Sequence, residues 1–165
     1  MQLRQFFVFV LFALAGHSSF AHLITAGNLT LNVLPDKAVL LVGVPVTFFK
    51  GIDTNQDGLL QPEEIKSQRD QIIEQLDQAI EIKMGGLKGE VVDDQIIVSL
   101  HVDSQSSTPQ IEWLRQLKFS EENFDLPVNI EFSERLLVNP YFLRVQRAGG
   151  QEVAMLSGAH PSHAF

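Results

Sequence analysis

Apolar residues recur at every second position in one segment after another of this chain. Leu29, Leu31 and Val33 alternate with Thr30 and Asn32, and Ile80, Ile82 and Met84 alternate with Glu81 and Lys83. The same period returns at Ile96, Val98, Leu100 and Val102, at Val128, Ile130 and Phe132, and at Tyr141, Leu143 and Val145. A period of two turns one face of an extended strand to a core and the other to water, whereas a helix needs 3.6. Ala38 to Val42, Ile111 to Phe119 and Val153 to Leu156 add further apolar stretches. Pro35-Asp36-Lys37 reads as the turn of a hairpin joining Leu23–Val33 to Ala38–Val42. Asp93-Asp94 reads as the turn before the strand at Ile96, and Ser104 to Thr108 as a polar loop. The pattern predicts a mainly β, β-sandwich-like domain of about seven to nine short strands.

One stretch departs from that period. From Pro62 to Ala79, and on to Ile80, apolar Ile65, Ile72, Ile73, Leu76 and Ile80 stand at helical spacing. Pro62, Glu63 and Glu64 open it, where a fixed φ and negative charge suit a helix start. Lys66, Arg69, Asp70, Glu74 and Asp77 fall on the remaining, solvated face. Upstream, Phe48, Phe49 and Ile52 have helical spacing after Pro45, which predicts about two turns of helix over Pro45–Ile52. A helical insertion at about 45–80 is therefore expected within the β domain.

The amino-terminal end reads differently from the rest. Arg4 precedes an unbroken apolar run from Phe6 to Ala15, and Gly16 and Ser19-Phe20-Ala21 follow. A positive start, a short apolar stretch and small residues before the cut make a secretory signal. Ten apolar residues span about 15 Å as a helix, half the hydrocarbon thickness. Residues 1–21 are thus expected to be removed, leaving 22–165 as a single exported domain, periplasmic or secreted, with no membrane span. Mass spectrometry of the exported protein should find His22 first; a mature chain still beginning at Met1 would refute the cleavage.

Composition narrows the function. The formal charge is −8, from 12 basic and 20 acidic residues, which disfavours nucleic acid and anionic membrane surfaces. The chain has no cysteine, so disulfides, thiolate metal sites and cysteine nucleophiles are excluded. No G-x-S-x-G, H-E-x-x-H or phosphate-cradling glycine loop occurs, so no enzyme is expected.

Residues 53 to 64 read D-T-N-Q-D-G-L-L-Q-P-E-E. Asp53, Asn55, Asp57, Gln61 and Glu64 supply side-chain oxygens at positions 1, 3, 5, 9 and 12, and Leu59 a backbone carbonyl at position 7. Gly58 at position 6 permits the sharp bend that curls these donors inward. Calcium, a hard cation, takes six to eight oxygens at about 2.3–2.6 Å, and Glu64 offers two at once while Gln61 acts through a water. The five positions that the motif fixes, Asp53, Asn55, Asp57, Gly58 and Glu64, arise by chance at roughly two in a million per starting residue.

The segment resembles the EF-hand calcium-binding family over about 30 residues, from Pro45 to Leu76. Leu60 stands where that family makes a short strand-like contact, and Phe49 and Ile52 where its first helix carries apolar contacts. There is a single loop, and polar Gln68 and Arg69 follow it, so the resemblance implies a static calcium site rather than a groove-opening sensor. A second resemblance rests on element order: A-H-L after the signal, the strand at Thr30 to Val33, the insertion, β-segments, and S-G-A-H-P-S-H-A-F at 157–165. That order is similar to the extracytoplasmic amino-terminal domain of HupE/UreJ-like bacterial membrane proteins, some of which are associated with nickel or cobalt transport.

Two readings of function follow. In the first, calcium fixes the insertion of a β-rich binding domain that meets a protein partner in the envelope. In the second, His22, His160 and His163 handle nickel, cobalt or copper as an accessory domain.

Overall fold

The computed structural model describes residues 27–57, 60–102, 107–120 and 126–165. The expected signal at 1–21 and His22 lie outside these residues. The fold is mainly β with a small helical part, and its described strands form two sheets. In chain order the elements are β1 (Asn28–Val33), β2 (Ala38–Pro45), α1 (Pro62–Ser67), α2 (Arg69–Ala79), β3 (Ile80–Met84), β4 (Leu87–Lys88), β5 (Glu90–Val102), β6 (Ser107–Lys118), β7 (Val128–Phe132), β8 (Tyr141–Arg147), β9 (Gly150–Leu156) and β10 (Ser162–Ala164). The larger sheet runs β5-β6-β2-β1-β8-β9 and the smaller β10-β7-β3-β4.

The alternation read from the sequence becomes the two faces of these strands. Leu29, Leu31 and Val33 are buried while Asn28, Thr30 and Asn32 are half-buried, and β7 and β8 alternate buried with exposed. β1 and β2 form the expected antiparallel hairpin, with Leu31 opposite Leu40. β1 also pairs β8, in parallel, with Leu29 beside Leu143. One apolar core joins the sheets: Leu31, Leu40 and Trp113 come from the larger, Met84, Ile130 and Phe132 from the smaller, and Ile72 and Leu76 from α2. The ring of Phe132 meets that of Tyr141 edge-on at 4.9 Å, an aromatic contact across the sheets. Gly85 (φ 58) and Gly86 (φ 82) link β3 to β4, and a two-residue hairpin with both residues left-handed demands glycine-like freedom.

Four expectations need correction. Pro45–Ile52 is not a two-turn helix: only a 3₁₀ turn forms, at Val46–Phe48. Phe49 is already extended (φ −79, ψ 146) and Gly51 left-handed (φ 71), so the chain leaves helical geometry at once. Phe49 and Ile52 are buried all the same. The helix from Pro62 is not continuous, because it breaks at Gln68 (φ −103, ψ 11). Ser67 Oγ donates to the carbonyl oxygen of Glu64 at 3.0 Å, and a hydroxyl bonding back onto its own helix competes with the ladder and bends it. Asp93-Asp94 is no turn: both lie within β5, beside a register shift between Val91 and Asp93. Ser107 and Thr108 belong to β6 rather than a loop, and 103–106 lie outside the described residues. The short strands β4 and β10, which no alternation marks, bring the described strands to ten, above the seven to nine expected.

One ionic knot ties the helical part to the larger sheet. Arg115 on β6 donates through Nε to Asp94 Oδ1 at 2.7 Å and through Nη2 to Asp94 Oδ2 at 2.9 Å. Its Nη1 bonds Asp77 on α2. The indole N–H of Trp113 donates to the same Asp94 Oδ1 at 2.9 Å, and the guanidinium stacks 4.1 Å from the Trp113 ring. Burial works against the charge of Arg115, but its hydrogen bonds to Asp94 and Asp77 outweigh that and hold its pKa above the usual value. Among the described residues, no helix is long and apolar enough to cross a membrane.

Candidate metal site

The 53–64 segment follows the buried anchor Ile52 and runs into the first turn of α1, where Glu64 sits. Gly58 and Leu59 lie outside the described residues, and with them the expected carbonyl donor. Gln56, at the fourth position, is left-handed (φ 59). The turn it makes brings positions 3 and 5 together, and position 9 bonds to position 5 as well. Asp57 Oδ2 accepts from Asn55 Nδ2 at 3.0 Å and from Gln61 Nε2 at 3.4 Å, and Asn55 Oδ1 accepts from the Asp57 N–H at 2.9 Å. All three residues are exposed, whereas Asp53 is half-buried with its Oδ1 shielded from solvent.

Glu64 is the buried member of the set, at 7% exposure. Its Oε1 accepts from Thr54 Oγ1 at 2.7 Å, from the Thr54 N–H at 2.8 Å and from the Asn55 N–H at 3.2 Å. Its Oε2 accepts from the Gln61 N–H at 3.2 Å, at the start of α1. One carboxylate therefore joins both ends of the loop. The Thr54 hydroxyl above all, then the Gln61 N–H, pull its pKa down to about 2, against a smaller opposing effect of burial; the N–H groups of Thr54 and Asn55 add to the lowering.

That shift has a direction in stability. A carboxylate with a depressed folded-state pKa contributes fully above its unfolded value, near 4.5, and loses the contribution as pH falls toward about 2. In metal-free protein the carboxyl carbon of Glu64 should titrate near pH 2 by NMR. Thr54→Val removes the strongest donor and should move that midpoint upward. A wild-type midpoint at an ordinary glutamate value would refute the bonding described.

The expected donors are thus partly assembled. Asn55, Asp57 and Gln61 share one set of hydrogen bonds, and Glu64 accepts from the backbone N–H groups of Asn55 and Gln61. Among the described residues, however, no three His, Asp or Glu side chains are gathered closely enough to hold a metal ion. The carboxylates of Asp53, Asp57 and Glu64 do not crowd one point, because N–H and hydroxyl donors of the loop hold Glu64 and side-chain amides hold Asp57. The donor chemistry, oxygen throughout, fits calcium; convergence requires Glu64 to exchange Thr54 and Asn55 for the ion. His160 pairs with Ser157 in an isolated bridge, and His163 on β10 meets Phe165 edge-on at 4.6 Å.

Two features were not read from the sequence. Thr54 is at a position between the alternate donors, so nothing in the spacing singles it out. Gln71 and Gln75 on α2 both donate to the Lys50 carbonyl, at 2.9 and 3.0 Å, and Gln75 Oε1 accepts from the Lys50 N–H at 2.9 Å. These amides fix the backbone just ahead of the loop. Glutamines on a helix surface look like solvated positions, and only their distant partner shows otherwise.

No model of a known protein family matches this chain, and no curated protein sequence does.

Proposed function

We propose that this chain is an exported protein in which the 53–64 loop holds one calcium ion as a brace within a β-rich binding domain. The observation that carries the reading is the complete spacing Asp53, Asn55, Asp57, Gly58, Gln61, Glu64, closed by a buried Glu64 that spans both ends of the loop. Asp53, Asn55, Asp57 and Glu64 would hold the ion directly, Leu59 through its carbonyl and Gln61 through a water. Bound calcium supplies charge neutralisation and a rigid centre. The chain's own residues do the rest. Ile52 and Phe49 anchor the loop's first end in the core, while Gln71 and Gln75 grip Lys50 ahead of it. Glu64 is placed by α1 at the other end, so its move from Thr54 to the ion would transmit order from loop to helix.

Calorimetric titration tests this. Wild type should take up one calcium per chain, and Glu64→Gln should abolish most of the heat, since one charge and a two-oxygen grip are lost together. Magnesium should bind far more weakly, because it demands a tighter octahedral shell. No heat with calcium would refute the proposal. Tighter binding of nickel or copper, lost on changing His22, His160 and His163, would replace it with the transition-metal reading.

A further inference from the structure

On the side of the fold where the 3₁₀ turn meets the segment between β7 and β8 there is an open groove of about 510 Å³. Apolar groups form its walls, among them Phe48, Leu136, Val138 and Tyr141. Lys50 and Arg135 are its charged residues, and no Asp or Glu is among its described lining residues. In a chain with 20 acidic and 12 basic residues, two cations without a facing carboxylate are a local reversal of charge.

Arg135 is held in place rather than waving in solvent. Its guanidinium lies 4.5 Å from the centre of the Phe48 ring, and its Nη2 donates to the Phe48 carbonyl and, at 3.1 Å, to Gln75 Oε1. Those contacts occupy one nitrogen of a fork that carries five N–H donors. The backbone of Lys50 is fixed by Gln71 and Gln75 on α2, so its side chain starts from a set point beside the groove. A volume of this size lies within the range of small-molecule sites, which combine apolar walls with a few placed polar groups.

We propose that this groove binds a small organic carboxylate with an aromatic or other compact apolar body, its anionic end taken by Arg135 and Lys50 and its body laid against Phe48, Leu136 and Val138. A planar guanidinium matches a carboxylate in two parallel hydrogen bonds, and the ammonium adds a second charge-assisted contact. The apolar remainder leaves water at the same time. This site is separate from the calcium loop and stands or falls without it.

The test uses 2-naphthoate and its uncharged counterpart 2-naphthalenemethanol, which share the apolar body. Each is titrated into the ¹⁵N-labelled protein in EDTA, with the backbone amides of Phe48, Lys50 and Arg135 followed by NMR. The acid should bind saturably, shift those amides, and bind about tenfold tighter than the alcohol, the ratio expected of a charge-assisted contact. Lys50→Gln, a change at an exposed side chain, should bring the acid close to the alcohol, and Arg135→Gln should do so more completely. Equal affinities for acid and alcohol, shifts confined to other regions, no saturable shift, or an acid affinity unmoved by Lys50→Gln would each overturn the proposal.

Discussion

Replacing Arg115 with methionine should lower the melting temperature by about 10–20 °C. The side chain is 9% exposed and Asp94 12%, so this ion pair is largely out of water. Removing the guanidinium takes two hydrogen bonds from the Asp94 carboxylate and leaves it the Trp113 N–H, and Asp77 loses its tie to the sheet. Breaking a buried pair from one side costs about 3–5 kcal/mol, because the remaining charge is uncompensated. In a domain of this size each kcal/mol moves the midpoint by several degrees. The size of methionine limits the cavity, so the loss reports charge more than volume. The double variant Arg115→Met with Asp94→Leu should recover much of the drop, since an apolar replacement of both partners is often near neutral. Thermal melts by circular dichroism decide the matter. A drop of under about 3 °C for the single variant would show the knot to be incidental to stability.

Calcium at about 1 mM should raise the melting temperature by roughly 5–15 °C over EDTA. Extracellular calcium modules bind at about 10⁻⁴–10⁻³ M and sensors at about 10⁻⁷–10⁻⁵ M. A lone loop that must first release Glu64 from Thr54 and Asn55 belongs near 10⁻⁵ M in order of magnitude. Calcium then stands at about 100 times Kd, which adds about 2.7 kcal/mol. Asp53→Ala and Glu64→Gln should each remove most of the gain. Equal melting points in calcium and EDTA for wild type would mean that the loop is a turn and that the proposed function is wrong.

The local features of this fold were legible because they are written in adjacent residues. Leu29, Leu31 and Val33 declare one buried face. The helical spacing of Ile72 and Leu76 likewise foretells their burial. Local pattern misleads where it is compatible with two outcomes. Phe48, Phe49 and Ile52 fit a helix by spacing, but Gly51 turned left-handed and the two buried residues reached the core from an irregular chain. Asp93-Asp94 has turn composition, yet the partner strand β6 draws both residues into a long ladder, where Asp94 meets Arg115.

For the candidate site, the sequence alone determined which oxygen donors are available and in what order, since that follows from spacing along one short loop. It also determined the mainly β class, through a period that only extended strands satisfy. Tertiary structure alone decided the parallel pairing of β1 with β8, the grip of Gln71 and Gln75 on Lys50, and the meeting of Arg115 with Asp77 and Asp94. It decided as well that Lys50 and Arg135 line one apolar groove. The reason is physical. Periodicity and turn chemistry state how each segment presents its faces, whereas which distant faces meet is settled by burying all of them in one core together.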